Sequence, residues 1–346
     1  MQINRIGKKE TAFVLILSIL LIILSMTIVY FLQSQYYQPD ELEFPLDEGR
    51  HNGYNESWYV AFNLISDKGD EYNFFSVYGI NDENRFHKLS ALADISNDEY
   101  FFKIYNKKPD DYVISQRKLN ITYDYFYGVD RWYQIKDEQF SYHFYGGLLD
   151  KKAESIILNC TMISNKEPIR MKDSFLNKFV FNDESNDLFY YAQTNIDVQG
   201  TLLMNGSIIN LSGSAWIDRQ WGDTLFPHSY EWFAIQLNND YEVAAAKIRG
   251  DHKNISYALL IKPDGQVIDL TEDIHIISLE KSEDYFSKKW SVSSIKGKFN
   301  LTIQTTINDQ IINMWPFTTL FEGGCTVTGS FNDTHIKGSC FSEQNQ

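Results

Sequence analysis

The sequence predicts an all-β protein: two antiparallel barrels of short strands behind one membrane-spanning helix. Three observations carry that expectation. Beyond about position 45 the chain alternates apolar and polar residues with a period of two, broken by turn signals, and no amphipathic helix of convincing length interrupts it. Aromatic residues form 15% of the 346 residues, with 22 Tyr and 24 Phe against seven Pro, and rings pack well on a pleated surface. Residues 11–32 (TAFVLILSILLIILSMTIVYFL) run 22 positions without a charge, enough for a helix to span a bilayer core, which takes about 20.

Taken in order, residues 1–10 form a short stub carrying Arg5, Lys8 and Lys9. The basic flank belongs on the cytoplasmic side, while Asp40, Glu41 and Glu43 follow the apolar run. The chain is therefore expected to be a single-pass cell-membrane protein with its bulk extracytoplasmic. A cleaved signal peptide is the alternative, but its apolar core is usually ~7–15 residues and ends in a small-residue site; neither feature is present. Residues 33–44 read as a linker. The strands that follow are too many for one ordinary sheet, and two closed or nearly closed barrels would remove exposed edges. We place them at 45–225 and 226–346, with the seam near 223–228, where Gly222, Asp223 and Pro227 interrupt the pattern.

Composition excludes several partners. Net charge is −15, and without a Lys/Arg cluster such a chain repels phosphate backbones, so nucleic acid is not expected. Dinucleotide, Walker, C-x-x-C, H-E-x-x-H and G-x-S-x-G signatures are absent. No histidine pair has ligand spacing, so no metal is expected. Cys325 and Cys340 flank an expected hairpin turning at 332–333, which allows either a cross-strand disulfide or two free thiols. Cys160, in an apolar run, reads as a buried thiol. Glycosylation acceptors occur at Asn55, Asn120, Asn159, Asn205, Asn210, Asn254, Asn300 and Asn332, in keeping with an extracytoplasmic location.

The most informative segment is GSAWIDRQWGD, residues 213–223. On a strand, Trp216, Asp218 and Gln220 share one face, which holds a carboxyl beside an indole and an amide. In an apolar lumen burial would raise its pKa, and a neutral acid can protonate a substrate at neutral pH. Trp221 and Trp232 could line the same cavity, and aromatic faces stabilise cations. The competing reading pairs Asp218 with an arginine such as Arg249 and leaves the tryptophans as core. A second cluster, Asp47, His51 and Glu56, either lines a barrel mouth or satisfies a loop. Glu322 reads as a buried hydrogen-bonding carboxylate.

At these residues the sequence resembles the AttH/CrtC-type lipocalin-like family, which includes carotenoid 1,2-hydratase. Pro45, Asp47, Gly49, His51, Glu56, Trp58 and Tyr59 fit its opening motif, with Ser57 in place of a Trp. Tyr190, Tyr191, Gly200, Gly206, Gly213, Ala215, Trp216, Asp218, Gln220 and Trp221 fit its centre. Phe321-Glu322-Gly323 is similar to a later motif, and of the final one only Gly338, Phe341 and Glu343 remain. The resemblance implies two lipocalin-like barrels. It also implies cofactor-independent, acid-catalysed hydration or isomerisation of an apolar isoprenoid-like substrate, with Asp218 as the acid. Trp216, Gln220, Trp221, Trp232, Tyr191, Glu56 and His51 are then the substrate-binding candidates. The alternative is a surface protein that holds a lipid or other hydrophobic molecule without transforming it.

Overall fold

The computed structural model describes residues 42–345 except 82, 108–111, 126–127, 136–139, 149–154, 172–187, 223–228, 250–253, 284–285 and 314–318. The expected membrane helix, the stub, most of the linker and the seam lie outside the described residues. Among those described, no helix is long and apolar enough to cross a membrane; a single 3-10 turn, Leu46–Glu48, is the one helical element.

Everything else is strand. The first sheet contains β1 (Asn55–Ser66), β2 (Glu71–Ile80), β3 (Phe86–Asp94), β4 (Glu99–Lys107), β5 (Tyr112–Ile114), β6 (Asn120–Tyr125), β7 (Gly128–Gln134), β8 (Ser141–Leu148), β9 (Ile156–Ser164), β10 (Ile169–Arg170), β11 (Leu188–Met204) and β12 (Ser207–Gly222). The second contains β13 (Ser229–Leu237), β14 (Glu242–Arg249), β15 (Asn254–Ile261), β16 (Val267–Asp269), β17 (Ile274–Lys281), β18 (Ser287–Ser294), β19 (Phe299–Thr305), β20 (Ile311–Asn313), β21 (Thr319–Phe331) and β22 (Thr334–Asn345). All pairings are antiparallel. The first sheet runs β4-β3-β2-β1-β12-β11-β9-β8-β7-β6-β5, and the second runs β16-β15-β14-β13-β22-β21-β19-β18-β17. Among the described residues neither ladder pairs its two end strands, and each sheet curls into a half-barrel.

Each curl encloses its own core. Inside the first, Trp58, Val60 and Phe62 of β1 meet Trp132 of β7 and Phe144 of β8. A buried ion pair fixes the curl: Lys88 of β3 contacts Asp130 of β7, donates to the Gly147 carbonyl of β8 at 2.7 Å, and Tyr78 donates to the same Asp130 at 2.9 Å. Inside the second, Phe233, Ile235, Trp290, Val292 and Ile303 pack together. Cys325 and Cys340 stand directly opposite each other there. They are free buried thiols, so of the two alternatives the structure holds the unbridged one; Cys160 is also buried and free.

A third core lies between the sheets and takes the outer faces of both. Ala61, Phe75, Tyr190 and Trp216 of the first meet Ala244, Ala246, Tyr257 and Phe341 of the second. This is why strands such as β3 and β14 are buried at nearly every position: one set of alternate side chains fills a curl and the other fills the interface. Polar contacts border it. Gln236 donates to the carbonyls of Thr194 and Ala215 at 2.8 and 3.0 Å, and Lys166 reaches Glu242 at 2.6 Å. Gly324 allows close approach, because a Cβ there would lie 1.9 Å from Asn73 Oδ1. Residues Phe44–Gln346 accordingly form one compact unit.

Candidate active site

Each curl packs an apolar core of its own and Asp218 belongs to neither, so the expectation of an acid inside a barrel lumen is corrected. The cavity, about 220 Å³, lies in the interface between the sheets. The physical reason is the alternation of β12. Ala215 and Ile217 point into the first curl, so Trp216, Asp218 and Gln220 must point outward, towards the second sheet. Asp218 and Gln220 line the cavity with Tyr59, Tyr190, Tyr230 and Trp232.

Asp218 is 5% exposed. It accepts a hydrogen bond from the Trp216 indole N–H at 2.7 Å and another from the Tyr190 hydroxyl. Burial pushes its carboxyl up to about 7, against the lowering effect of those two donors, and the Glu343 charge adds to the rise. Trp232 also favours the charged form, although its N–H meets no protein group in hydrogen-bond geometry. Arg249 is not the partner of Asp218; its guanidinium lies 3.9 Å from Glu231.

Two further carboxyls reach the cavity from the second sheet. Glu322 accepts from the Tyr59 hydroxyl at 2.6 Å, and Tyr100 donates to the Glu322 backbone carbonyl at 2.7 Å. Glu343 accepts from Tyr230. Burial raises Glu322 well above the ordinary range, with the Glu343 charge as the next cause, and burial raises Glu343 as well. The phenols of Tyr59, Tyr190 and Tyr230 are pushed up by the same burial, so they stay protonated donors. No Lys, Arg or His occurs among the described lining residues. Such a site can hold neutral acids against an uncharged apolar ligand, and it repels anions.

The other candidates lie on the opposite side of the first sheet, at the strap 44–54. Arg219 sits between Trp58 and Trp221, 3.9 and 5.0 Å from their ring centroids. It donates to the carbonyls of Gly49 and Gln220, each at 2.6 Å, and pairs with Glu56. Glu56 also accepts from the His51 backbone N–H at 2.8 Å. The His51 ring stacks on Trp221 at 4.4 Å and lies 3.4 Å from Asp47. Tyr191 packs edge-on against Phe44 and Trp221. The sheet thus separates Trp221, Tyr191, Glu56 and His51 from the cavity: Trp221, Tyr191 and Glu56 are each one residue out of phase with the positions facing it, and His51 lies on the strap against Trp221. Of the candidates, Asp218, Trp216, Gln220 and Trp232 come together. Sequence reasoning did not place Tyr59, Tyr190, Tyr230, Glu322 and Glu343 there.

A fold of this kind has solved counterparts. The AttH-like family model matches residues 35–344, and the chain belongs to that family. No curated protein sequence matches it. The structure is similar to that of an AttH-type protein from Nitrosomonas europaea, with 18% identity over 90% of this chain and 98% of that one, at a TM-score of 0.73. It is also similar to kievitone hydratase from Nectria haematococca, with 13% identity over 88% and 93% of the two chains, at a TM-score of 0.66.

Proposed function

We propose that this protein is a cofactor-independent hydratase, or an isomerase of related chemistry, acting on an uncharged isoprenoid-like alkene, with Asp218 as general acid. One observation carries the reading: a carboxyl titrating at about 7 on the wall of an aromatic cavity that lacks any basic side chain among its described residues. A carboxyl protonated at neutral pH can transfer its proton to a double bond. Trp216 and Tyr190 then donate to the carboxylate left behind, and the ring faces of Trp232 and Tyr230 stabilise the carbocation. The fold similarity to a kievitone hydratase supports the class.

The location is part of the proposal. The uncharged run 11–32 and its flanking charges support a single membrane anchor with the sheets outside the cytoplasm. Asn120, Asn159, Asn205, Asn210, Asn300 and Asn332 are exposed, as glycan acceptors must be. Loss of an electrophoretic shift on glycosidase treatment of intact cells tests both points.

The test of chemistry uses the detergent-solubilised full chain with neutral prenylated and polyprenoid alkenes in isotope-labelled water. Product should gain labelled water, and Asp218→Asn should slow it by ~10²–10⁴-fold while still binding alkene. An unchanged rate in that variant removes Asp218 from the mechanism. Alkene retained without any gain of water leaves the second reading, a carrier of a lipid or other hydrophobic molecule, which the aromatic lining also suits.

A further inference from the structure

We infer that Glu322 and Glu343 hold one proton between them, and that the ionised member is the base that takes a proton from the attacking water. This rests on the hydratase reading above and adds to it a second catalytic group from the other sheet.

The geometry is that of a cross-strand pair. Glu322 of β21 and Glu343 of β22 are direct register partners, and both line the cavity, so their side chains leave the same face. Direct partners in an antiparallel pair have Cβ atoms about 4.5–5.5 Å apart, and like charges placed so repel. In water the repulsion would be screened, but here no lining cation offsets it. Two carboxyls in one dry site cannot both ionise readily; the first proton leaves and the second is retained. What surrounds them fits one shared charge. Tyr59 of β1 donates to Glu322 and Tyr230 of β13 to Glu343, so each carboxyl has one neutral donor. Tyr100 of β4 holds the Glu322 backbone carbonyl. The remaining groups that act electrostatically on Glu322 are Asp218 of β12 and Cys325 of its own strand; Asp218 and the Tyr190 hydroxyl complete the opposite wall. Trp232, the register partner of Glu343 on its other side, also lines the cavity and acts on Asp218.

The protons balance without any co-reactant. The π pair of the alkene takes the proton of Asp218 and forms a C–H bond, leaving a carbocation and the Asp218 carboxylate. A lone pair of water forms the C–O bond, and the surplus proton on that oxygen passes to the ionised member of the pair. Return of this proton from the pair to Asp218 resets the site, so the sum is alkene plus water giving alcohol.

The test compares wild type, Glu322→Gln, Glu343→Gln and the double variant as full chains in detergent. Turnover requires an ionised member of the pair, so the acidic limb of the kcat–pH profile reports its first ionisation. The first proton leaves while its neighbour is still neutral, so either single replacement, which keeps one ionisable carboxyl, should leave that limb near its wild-type position; the double variant should lose ~10²–10⁴-fold in kcat. A structural role alone would lower stability and leave the kcat of the double variant in place. The same sharing is read without turnover, by isotope-edited infrared titration of the Glu322 carboxyl. Its ionisation should fall to lower pH in Glu343→Gln. An unmoved titration overturns the shared proton, and full activity of the double variant overturns the base. Absence of turnover in wild type with a shifted titration would sink the hydratase reading and keep the shared proton, so the two failures are separable.

Discussion

Two clusters of buried carboxyls lie back to back across the first sheet, and they are handled in opposite ways. At the strap, Glu56 meets the Arg219 guanidinium, and Asp47 and Glu56 flank the His51 ring. At the interface, Asp218, Glu322 and Glu343 meet only indole and phenol donors. The strap cluster ties a loop to a barrel end, with Arg219 holding three backbone carbonyls besides its carboxylate. The interface cluster ties nothing comparable and borders a cavity. A buried acid given a cation is set up to stay charged, whereas one given only neutral donors keeps its proton within reach of a substrate. Glu48 refines the contrast. It lies at the strap but bonds to Tyr142, and burial pushes it up to about 7 as well, yet it is not among the residues that line the interface cavity.

Single substitutions should dissociate the two clusters. Arg219→Met leaves Glu56 buried without its partner and should cost about 3–5 kcal/mol in urea unfolding, while any chain still folded keeps its cavity chemistry. Asp218→Asn should do the reverse: lose turnover and melt no lower than wild type. If both variants lose the same property, the two clusters are not distinct in kind.

How much of this was legible in the sequence follows from what a period of two can say. It shows that Trp216, Asp218 and Gln220 share a face and that Trp58, Val60 and Phe62 share another. It does not show which face is concave. The lumen expectation failed for that reason: β1 and β12 are buried on both sides, and alternation looks the same whichever side holds the cavity. The small residues Ala61, Ala244 and Ala246 on the interface were the available signal of a second packing surface. Trp221 follows Asp218 by three positions and Tyr191, Glu56 and His51 join it through the family motifs, but odd and even neighbours on a strand face apart, and motifs do not say which face each residue takes. In the sequence Glu322 and Glu343 belong to separate motifs. Only the β21–β22 register, set by long-range pairing, makes them partners.

A smaller effect separates the clusters by pH. Asp218 titrates at about 7 in the folded chain against 3.8 for the ordinary side chain, and Glu322 and Glu343 are raised too. The native state therefore binds more protons than the unfolded one between those limits. Stability from these groups is fully present below about pH 4 and is lost as pH rises through about 7. The urea midpoint should fall from about pH 5 to about pH 8, and Asp218→Asn should flatten part of that slope. A midpoint that climbs over the same range would mean the interface acids are charged throughout. Smaller again is Gly324→Ala, where the new methyl meets Asn73 of the first sheet; it should cost about 1–3 kcal/mol, read as a lowered melting temperature.

The smallest expected change probes how the acid is tuned. The Tyr190 hydroxyl lowers the Asp218 carboxyl by donating to its charged form, and Tyr190→Phe removes that donor while keeping the ring. Two consequences run in opposite directions. The carboxyl should titrate higher, so the alkaline limb of the kcat–pH profile should extend upward in pH. At the same time the carboxylate formed in the transition state loses one hydrogen bond, worth about 1 kcal/mol, so the plateau rate should drop about fivefold. A lower plateau with an unmoved limb would mean Tyr190 acts on the substrate and not on the acid. An extended limb with an unchanged plateau would mean that proton transfer from Asp218 is not the slow step.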